Sequence, residues 1–171
     1  GDVYKRQVEN RDPSKYKNFK IPKEYLINVD FYKNAKMVIC LSNIQVKILE
    51  DSVELNNAVS IGTSLWSKET LGYIKSLNNC EKIPIAAIMD SNNPIKNKIK
   101  SINFCKENKI PYELVSSSDY REFLKNLSKY DKLVFFPGVL ESLSRLFVEA
   151  KMLNCKVITI PKMLGASYES W

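Results

Sequence analysis

The 171-residue sequence contains no histidine. This absence excludes Ser-His-Asp and Cys-His catalytic groups, HExxH zinc sites and most zinc fingers, because each of them needs an imidazole. Arginine is also scarce, with four residues against 22 lysines, so the net charge of +7 comes with few of the guanidinium forks typical of nucleic-acid recognition. We therefore interpret the charge as solvated surface and expect no nucleic-acid partner.

The four cysteines are 40, 25 and 50 residues apart, so no C-x-x-C pair exists for metal or redox chemistry. We predict that most of them are buried free thiols. No stretch approaches the roughly 18 apolar residues of a membrane span. The first residues lack the charged-then-apolar order of a signal peptide, which favours a reducing, cytoplasmic setting.

Residues 1–7 look like a translated sequencing adaptor, and the last residues, 164–171, read as a loop and the start of a helix. We therefore expect a fragment truncated at both ends. The polar run 76–82 indicates a domain boundary near these residues. We predict that residues 8–70 are the last part of one domain, that residues 71–82 form a hinge, and that residues 83–171 form a second, incomplete domain.

In the first part, residues 11–23 read as loop, with a short helix near 23–32. Residues 38–41 form a continuous apolar run, which is typical of a strand covered on both faces. Ser42 and Gln45 have capping-box spacing and predict a helix that continues to about residue 52. A further strand is predicted at 59–61.

The second part alternates regularly between apolar runs and helical periods. Strands are predicted at 83–89, 112–115, 132–136 and 156–160, and helices at 94–106, 119–128 and 143–153. Such alternation favours right-handed crossovers and a parallel, doubly wound α/β sheet of the Rossmann-like class.

Two of these helices carry apolar stripes. The first begins at the capping residue Asn93 and Pro94. Its predicted core face is Ile95, Ile99 and Ile102, and that of the other helix is Leu143, Leu146, Phe147, Ala150 and Leu153. Arg145, Glu149 and Lys151 lie off the second stripe.

Ligands of open α/β sheets bind beyond the carboxyl ends of the strands. The loop 90–93 leads into Lys96, the third residue of a predicted helix, where a positive charge opposes the helix dipole unless an anion is shared. Lys96 is therefore a candidate phosphate ligand. A solvated lysine in a run with Lys98 and Lys100 is the alternative, and spacing alone favours that alternative.

Glu141 and Glu149 follow the loop that contains Gly138. On one continuous helix, eight residues would separate them by about 80° and about 12 Å of rise. That spacing excludes the close carboxylate pair of a retaining glycosidase. It allows contacts with different parts of one elongated ligand, while coincidence remains the favoured explanation from spacing alone.

The stretch 133–160 resembles the signature region of group 1 glycosyltransferases (family 4-like) with the GT-B fold. Glu141 and Glu149 match its E-x7-E motif, with a strand before the motif and Lys156 near the start of a strand after it. Residues 31–42 look like the late element of that family's N-terminal domain.

Two further segments are similar to the family. Residues 93–97 are similar to its Lys-Gly step, where the lysine meets the donor diphosphate, and residues 165–169 keep the spacing of its Gly-Gly-x-x-Glu loop. Departures occur as well. Asn97 replaces the glycine after the lysine, Leu143-Ser144 replaces Phe-Gly in the motif, and residues 91–93 lack the arginine that often precedes the lysine.

The resemblance implies retaining transfer of a sugar from a nucleoside-diphosphate sugar to a glycan or glycolipid acceptor, with no cofactor or metal. It also implies a cytoplasmic protein, with peripheral association at the inner membrane face as one expectation. The fragment alone is expected to be inactive. The alternatives are a GT-B type nucleotide-sugar epimerase and a non-enzymatic doubly wound binding module.

The resemblance also implies roles for individual residues. Lys96 would neutralise charge on the leaving diphosphate, Glu141 would contact the donor sugar, and Glu149 would accept hydrogen bonds from the ribose hydroxyls. The other donor-binding residues that it implies are Ser142, Leu143, Ser144, Gly138, Asn93 and Gly165.

Overall fold

The computed structural model describes Ile21, Lys23 and residues 26–170. The adaptor-like segment 1–7 and most of the predicted loop at 11–23 lie outside the described residues. Among the residues that are described, no helix is long and apolar enough to cross a membrane.

The chain divides into two compact units. The first contains the residues up to Ser64, the short segment 139–143 and the residues from Lys162 onward. The second contains residues 65–138 and 144–161. The predicted domain limits and the hinge at 71–82 remain predictions.

The first unit is built on a two-stranded parallel sheet. Its elements are helix α1 (Val29–Asn34), strand β1 (Val38–Cys40), helix α2 (Asn43–Val53), strand β2 (Ala58–Ser60) and a 3-10 helix (Gly165–Tyr168). Val38 pairs with Ala58 and Cys40 with Ser60. The predicted strands and the helix between them are confirmed within one or two residues.

Helix α2 begins as the capping-box spacing predicts, with one difference. The Ser42 side chain accepts a hydrogen bond from the backbone N–H of Gln45 at 3.4 Å. The side-chain oxygen of Gln45 accepts a hydrogen bond from the N–H of Leu41 at 2.9 Å, one residue before the cap. Ile44 and Ile48 then form the buried face of the helix, so this turn fixes the helix against its core.

The second unit contains most of the regular structure. Its elements are α3 (Lys68–Ser76), β3 (Ile83–Met89), a 3-10 helix (Pro94–Lys96), α4 (Lys98–Glu107), β4 (Tyr112–Val115), α5 (Tyr120–Leu127), β5 (Tyr130–Val134), α6 (Arg145–Met152) and β6 (Lys156–Ile158). A 3-10 helix at Pro161–Met163 follows, where the chain leaves this unit at Pro161 and re-enters the first unit at Lys162.

The four strands of this unit form one parallel sheet in the order β4-β3-β5-β6. The chain runs from β3 to β4 on one side and then returns to place β5 on the other side of β3. This reversal is a topological switch point, the place where open α/β sheets bind their ligands. The protein therefore has the predicted α/β fold class, with a doubly wound parallel sheet.

The sheet is filled by small and branched side chains. Ala86, Ile88 and Val134 are almost fully buried and pack with Cys105 and Phe136. All four cysteines are free, and three of them are buried, as predicted from their spacing.

Several details of the second unit differ from the prediction, among them strand β6, which ends at Ile158 and not at residue 160. The helix predicted at 94–106 is interrupted at Asn97, which adopts a left-handed conformation between the 3-10 helix and α4. Ile99, predicted as core, is 62% exposed because α4 begins only at Lys98, which resets the face presented to the sheet. Strand β5 begins two residues earlier than predicted and ends at Val134.

Candidate functional site

The loops that follow β3 and β5 meet at the carboxyl edge of the sheet. The Gly138 N–H donates to the Ile95 carbonyl at 2.8 Å. A Cβ atom on Gly138 would lie 2.9 Å from the carbonyl oxygen of Pro94, which explains why glycine occupies this position. The Asn93 side chain accepts from the Ile95 N–H at 2.9 Å and so caps the turn.

The turn ends at Asn97, the residue that replaces the glycine of the family pattern. Asn97 has φ 47° and ψ 49°, a conformation that glycine adopts freely and that asparagine tolerates better than most residues. The replacement therefore keeps the backbone turn. Lys96 lies just before it, with Nζ 5.6 Å from the centre of the Phe135 ring.

A cavity of about 390 Å³ opens beside this turn. It lies at the ends of β3 and β4 and against the first turns of α6. Its lining residues are Met89, Lys96, Ser117, Ser118, Tyr120, Phe123, Arg145, Leu146 and Glu149. Polar and charged groups from three elements therefore converge at the edge where ligands of such sheets bind.

Glu149 is the buried carboxylate of this cavity, 3% exposed. Its Oε1 accepts from Trp66 Nε1 at 3.0 Å and from the Tyr120 hydroxyl at 2.6 Å, and it lies 3.4 Å from Arg145 Nε. These donors offset the cost of removing a carboxylate from water. Trp66, Tyr120 and Arg145 therefore all contact Oε1, and Oε2 is the second acceptor of this carboxylate.

Tyr120 is held as a donor to Glu149. Burial, and then the hydrogen bond to the Glu149 carboxylate, raise the pKa of Tyr120 above its ordinary value. The phenol therefore keeps its proton throughout the neutral range, and the hydrogen bond to Glu149 persists there.

Arg145 is the first residue of α6 and lies close to two aromatic rings. Its guanidinium carbon is 5.3 Å from the centre of the Trp66 ring and 5.6 Å from that of Tyr120. Its Nη2 lies 3.4 Å from the Tyr120 hydroxyl, and its side chain remains 52% exposed. Cation–π contacts with both rings restrain the guanidinium, while about half of the side chain stays open to solvent.

Sequence reasoning missed Trp66, Tyr120 and Arg145 as site residues. Only Arg145 carried a local signal, since an arginine four residues before Glu149 on a helix can pair with it. Trp66 is 83 residues from Glu149 and Tyr120 is 29 away, so their contacts arise from tertiary packing alone.

Ser144 precedes α6 in an unusual backbone conformation, with φ 65° and ψ 93°. Its side chain makes no capping hydrogen bond, and its buried Oγ has no partner in the described part of the chain. Glycine adopts a positive φ freely, whereas a serine in this conformation is strained. The Ser144 carbonyl accepts from the Val148 N–H at 3.2 Å, so the residue still opens the helix.

In the first unit, Glu141, Ser142 and Gly165 come together. The Gly165 N–H donates to the Glu141 carbonyl at 2.8 Å, and a bridge joins Glu141 to Leu164. A Cβ atom on Gly165 would lie 1.5 Å from the Ser142 carbonyl oxygen, so only glycine fits. Leu143 is 1% exposed, so its side chain belongs to the core.

Glu141 precedes α6 and Glu149 lies within it, since α6 begins at Arg145, so the separation calculated for one continuous helix does not apply. Of the predicted site residues, the second unit holds Asn93, Lys96, Gly138, Ser144 and Glu149, and the first holds Glu141, Ser142, Leu143 and Gly165.

Glu169, the last residue of the predicted Gly-Gly-x-x-Glu spacing, lies in the first unit. Its carboxylate accepts from the N–H and the side-chain amide of Asn43 at 2.7 and 2.9 Å. Within the described residues, no group of three or more potential metal ligands occurs.

No family model matches the sequence, and no curated protein matches it. A solved structure described as "Crystal Structure of Glycosyltransferase from Rickettsia africae ESF-5" is similar, with 14% identity and a TM-score of 0.45. The match covers 82% of this chain and 48% of that chain, so the chain spans about half the length of that glycosyltransferase. A likeness this distant does not establish a family or an activity.

Proposed function

We propose that this chain carries the nucleotide-sugar-binding part of a glycosyltransferase. The reaction would move a sugar, with retention, from a nucleoside-diphosphate sugar to a glycan or glycolipid. One observation supports this most directly. The cavity at the carboxyl edge of the sheet contains both Lys96 and the buried Glu149, the residues that the motif resemblance singles out.

In this proposal Glu149 binds the ribose of the donor. Its Oε1 is engaged by Trp66, Tyr120 and Arg145, so the ribose hydroxyls would donate to Oε2. A buried carboxylate whose position is fixed by such donors recognises a diol well, because the ligand does not have to order the side chain.

Lys96 would act on the diphosphate. Negative charge develops on the leaving diphosphate as the bond to the sugar breaks, and a fixed cation beside it lowers the barrier. Asn93 and Gly138 serve this role indirectly. The first caps the turn that carries Lys96, and the second lets the neighbouring loop pack against it.

The resemblance supplies the remaining roles. Glu141 would contact the donor sugar, and Ser142, Leu143 and Ser144 would offer backbone N–H groups to sugar or phosphate. Gly165 shapes the loop around Ser142. The reaction as proposed uses no metal and no cofactor.

Nucleoside diphosphates test this proposal in a thermal-shift panel of UDP, GDP, ADP and CDP on the 171-residue chain. Ligand at 100 times its dissociation constant stabilises the folded state by about 2.7 kcal/mol, which gives a readable shift. We expect a shift with one base, and Glu149→Ala should abolish it. Glu107→Ala removes an exposed carboxylate outside the cavity and should keep it.

A cooperative melt that none of the four nucleotides shifts would contradict the proposal. It would favour the non-enzymatic binding module, whose affinity for nucleic acid can be checked by filter binding across a salt series. Donor binding that Glu149→Ala leaves unchanged would also contradict the ribose role.

A further inference from the structure

The cavity contains two cations, although the sequence predicted only one. Lys96 reaches it from the turn after β3, and Arg145 reaches it from the first residue of α6. Residues 90–95, which lead into Lys96, contain no lysine or arginine. A second positive charge for this cavity therefore comes from α6, at a position that sequence reasoning left unassigned.

Arg145 has hydrogen-bonding capacity beyond its protein contacts. Its Nε faces Glu149 at 3.4 Å and its Nη2 faces the Tyr120 hydroxyl at 3.4 Å. A guanidinium carries five N–H donors, so these two long contacts leave donors on both Nη atoms. The half-exposed side chain can direct them at a ligand in the cavity.

The rings of Trp66 and Tyr120 fix the direction of those donors. Cation–π contacts with both rings restrain the guanidinium before any ligand arrives, which lowers the entropy lost on binding. Planar, ordered guanidinium groups suit the paired oxygens of phosphate.

The charges that line the cavity also favour an anion. Lys96 and Arg145 contribute two positive charges against the single carboxylate of Glu149. Lys98, close to the same turn, is paired with Asp90. Among the side chains that line the cavity, cationic groups therefore outnumber carboxylates.

We infer that Arg145 is a diphosphate ligand of this cavity, acting together with Lys96. The inference rests on the proposed function for the identity of the nucleotide, but the anion site itself can be tested without a nucleotide. The opposing hypothesis is that Arg145 only neutralises the buried Glu149 carboxylate. The two hypotheses differ in how the arginine affects a small anion.

Inorganic pyrophosphate is the probe, titrated into the full chain while affinity is followed by calorimetry. Charge-assisted hydrogen bonds of this kind give about tenfold to a hundredfold in affinity, so Arg145→Met should lose at least that lower factor. Arg145→Lys keeps the positive charge but not the forked donors, so its pyrophosphate affinity should lie between that of the parent chain and that of Arg145→Met. Arg121→Met is the matched control.

Arg121 suits that comparison because its guanidinium also lies over an aromatic ring, that of Tyr73 at 5.3 Å, and it does not line the cavity. Arg121→Met changes the net charge by the same amount as Arg145→Met. We expect pyrophosphate affinity within twofold of the parent chain.

Glu149→Gln gives a second readout that needs Arg145 intact. Removing the carboxylate releases Arg145 from its ion pair, so pyrophosphate affinity should rise severalfold, while nucleoside diphosphates should lose the extra affinity over pyrophosphate that the ribose contact supplies. A purely neutralising arginine predicts no dependence of pyrophosphate binding on Arg145. If Arg145→Met fails to fold, Arg145→Lys and Glu149→Gln decide between the two hypotheses.

The outcomes separate the two proposals. Pyrophosphate binding that is absent, or unchanged in Arg145→Met and Arg145→Lys, overturns the inference even if a nucleotide binds. Pyrophosphate binding that depends on Arg145, with no nucleoside diphosphate binding more tightly than pyrophosphate itself, supports the inference and overturns the proposed function.

Discussion

A Cβ atom on Gly138 would approach the carbonyl oxygen of Pro94 to 2.9 Å. The obstacle is backbone, which cannot rotate away as a flexible side chain could. The contact joins the loop after β5 to the turn that carries Lys96, so the position of that lysine depends on a glycine 42 residues later in the chain.

Gly138→Ala should therefore destabilise the protein. Overpacking against fixed atoms costs about 1 to 3 kcal/mol, and urea denaturation should show that loss in the free energy of unfolding. Gly72→Ala is the control, since nothing lies within 4 Å of its Cβ and it sits inside α3. That change should stabilise by about 0.5 to 1 kcal/mol. Equal effects of the two substitutions would contradict the steric explanation.

Ser144→Gly should stabilise the chain. The serine has φ 65°, outside the ordinary range of L-residues, and its buried Oγ lacks a partner among the described residues. Relief of both costs, offset by the greater freedom of glycine in the unfolded state, leaves a net gain of about 1 kcal/mol.

Urea denaturation of Ser144→Gly and Ser144→Ala separates the two contributions. Alanine removes the hydroxyl but keeps the strained backbone, so it should gain less than glycine. A loss of stability in Ser144→Gly would show that the serine side chain has a partner that outweighs the strain.

The regular part of the fold could be predicted from the sequence because its signals are local. The strands Ile83–Met89 and Tyr112–Val115 occur at the predicted residues, since continuous apolar runs mark buried parallel strands. The break at Asn97 could not be predicted from the isoleucine repeat, because a single left-handed residue is compatible with a helical pattern on either side.

The candidate site was predictable only in part, for a related reason. Motif spacing identified Lys96 and Glu149, but the donors that hold Glu149 in place come from distant segments. Trp66 precedes α3 and Tyr120 begins α5, and no periodicity links either to the glutamate. A buried carboxylate requires donors, yet the sequence does not say which side chains supply them.

The stability of the protein should fall at alkaline pH through Tyr130. Burial, followed by the hydrogen bond of its hydroxyl to Glu113 at 2.6 Å, raises the pKa of Tyr130 to about 12. An unfolded tyrosine ionises near pH 10, so the unfolded state releases its proton first. The stabilisation is complete below about pH 10 and is lost as the pH rises toward 12.

Urea denaturation at a series of pH values checks this dependence. Between pH 10 and 12 the free energy of unfolding of the parent chain should fall more steeply with pH than that of Tyr130→Phe. The difference in slope corresponds to at most one proton released on unfolding. Tyr73→Phe, which removes a hydroxyl bonded to the Arg121 carbonyl, should keep the parent slope. Parallel slopes for all three chains would exclude Tyr130 as the source.

Lys82→Met should lower the free energy of unfolding by about 2 kcal/mol, because the Lys82 ammonium donates hydrogen bonds at the C-terminal ends of two helices. Nζ donates to the carbonyls of Ser128 and Leu153, the C-cap residues that follow α5 and α6, at 2.6 and 2.5 Å. Its positive charge also favours both helix dipoles. Urea denaturation should show the loss, whereas Lys156→Met, an exposed lysine on β6, should stay within about 0.5 kcal/mol.

The thiol of Cys155 offers an independent check on the same lysine. Burial raises the pKa of Cys155, and Lys82, whose Nζ lies 3.7 Å from the sulfur, opposes that rise. Without the lysine the pKa should rise further, so labelling of Cys155 in the folded protein should begin at a higher pH. A Lys82→Met chain with unchanged stability and an unchanged labelling profile would show that the ammonium is satisfied by solvent instead of by the helix ends.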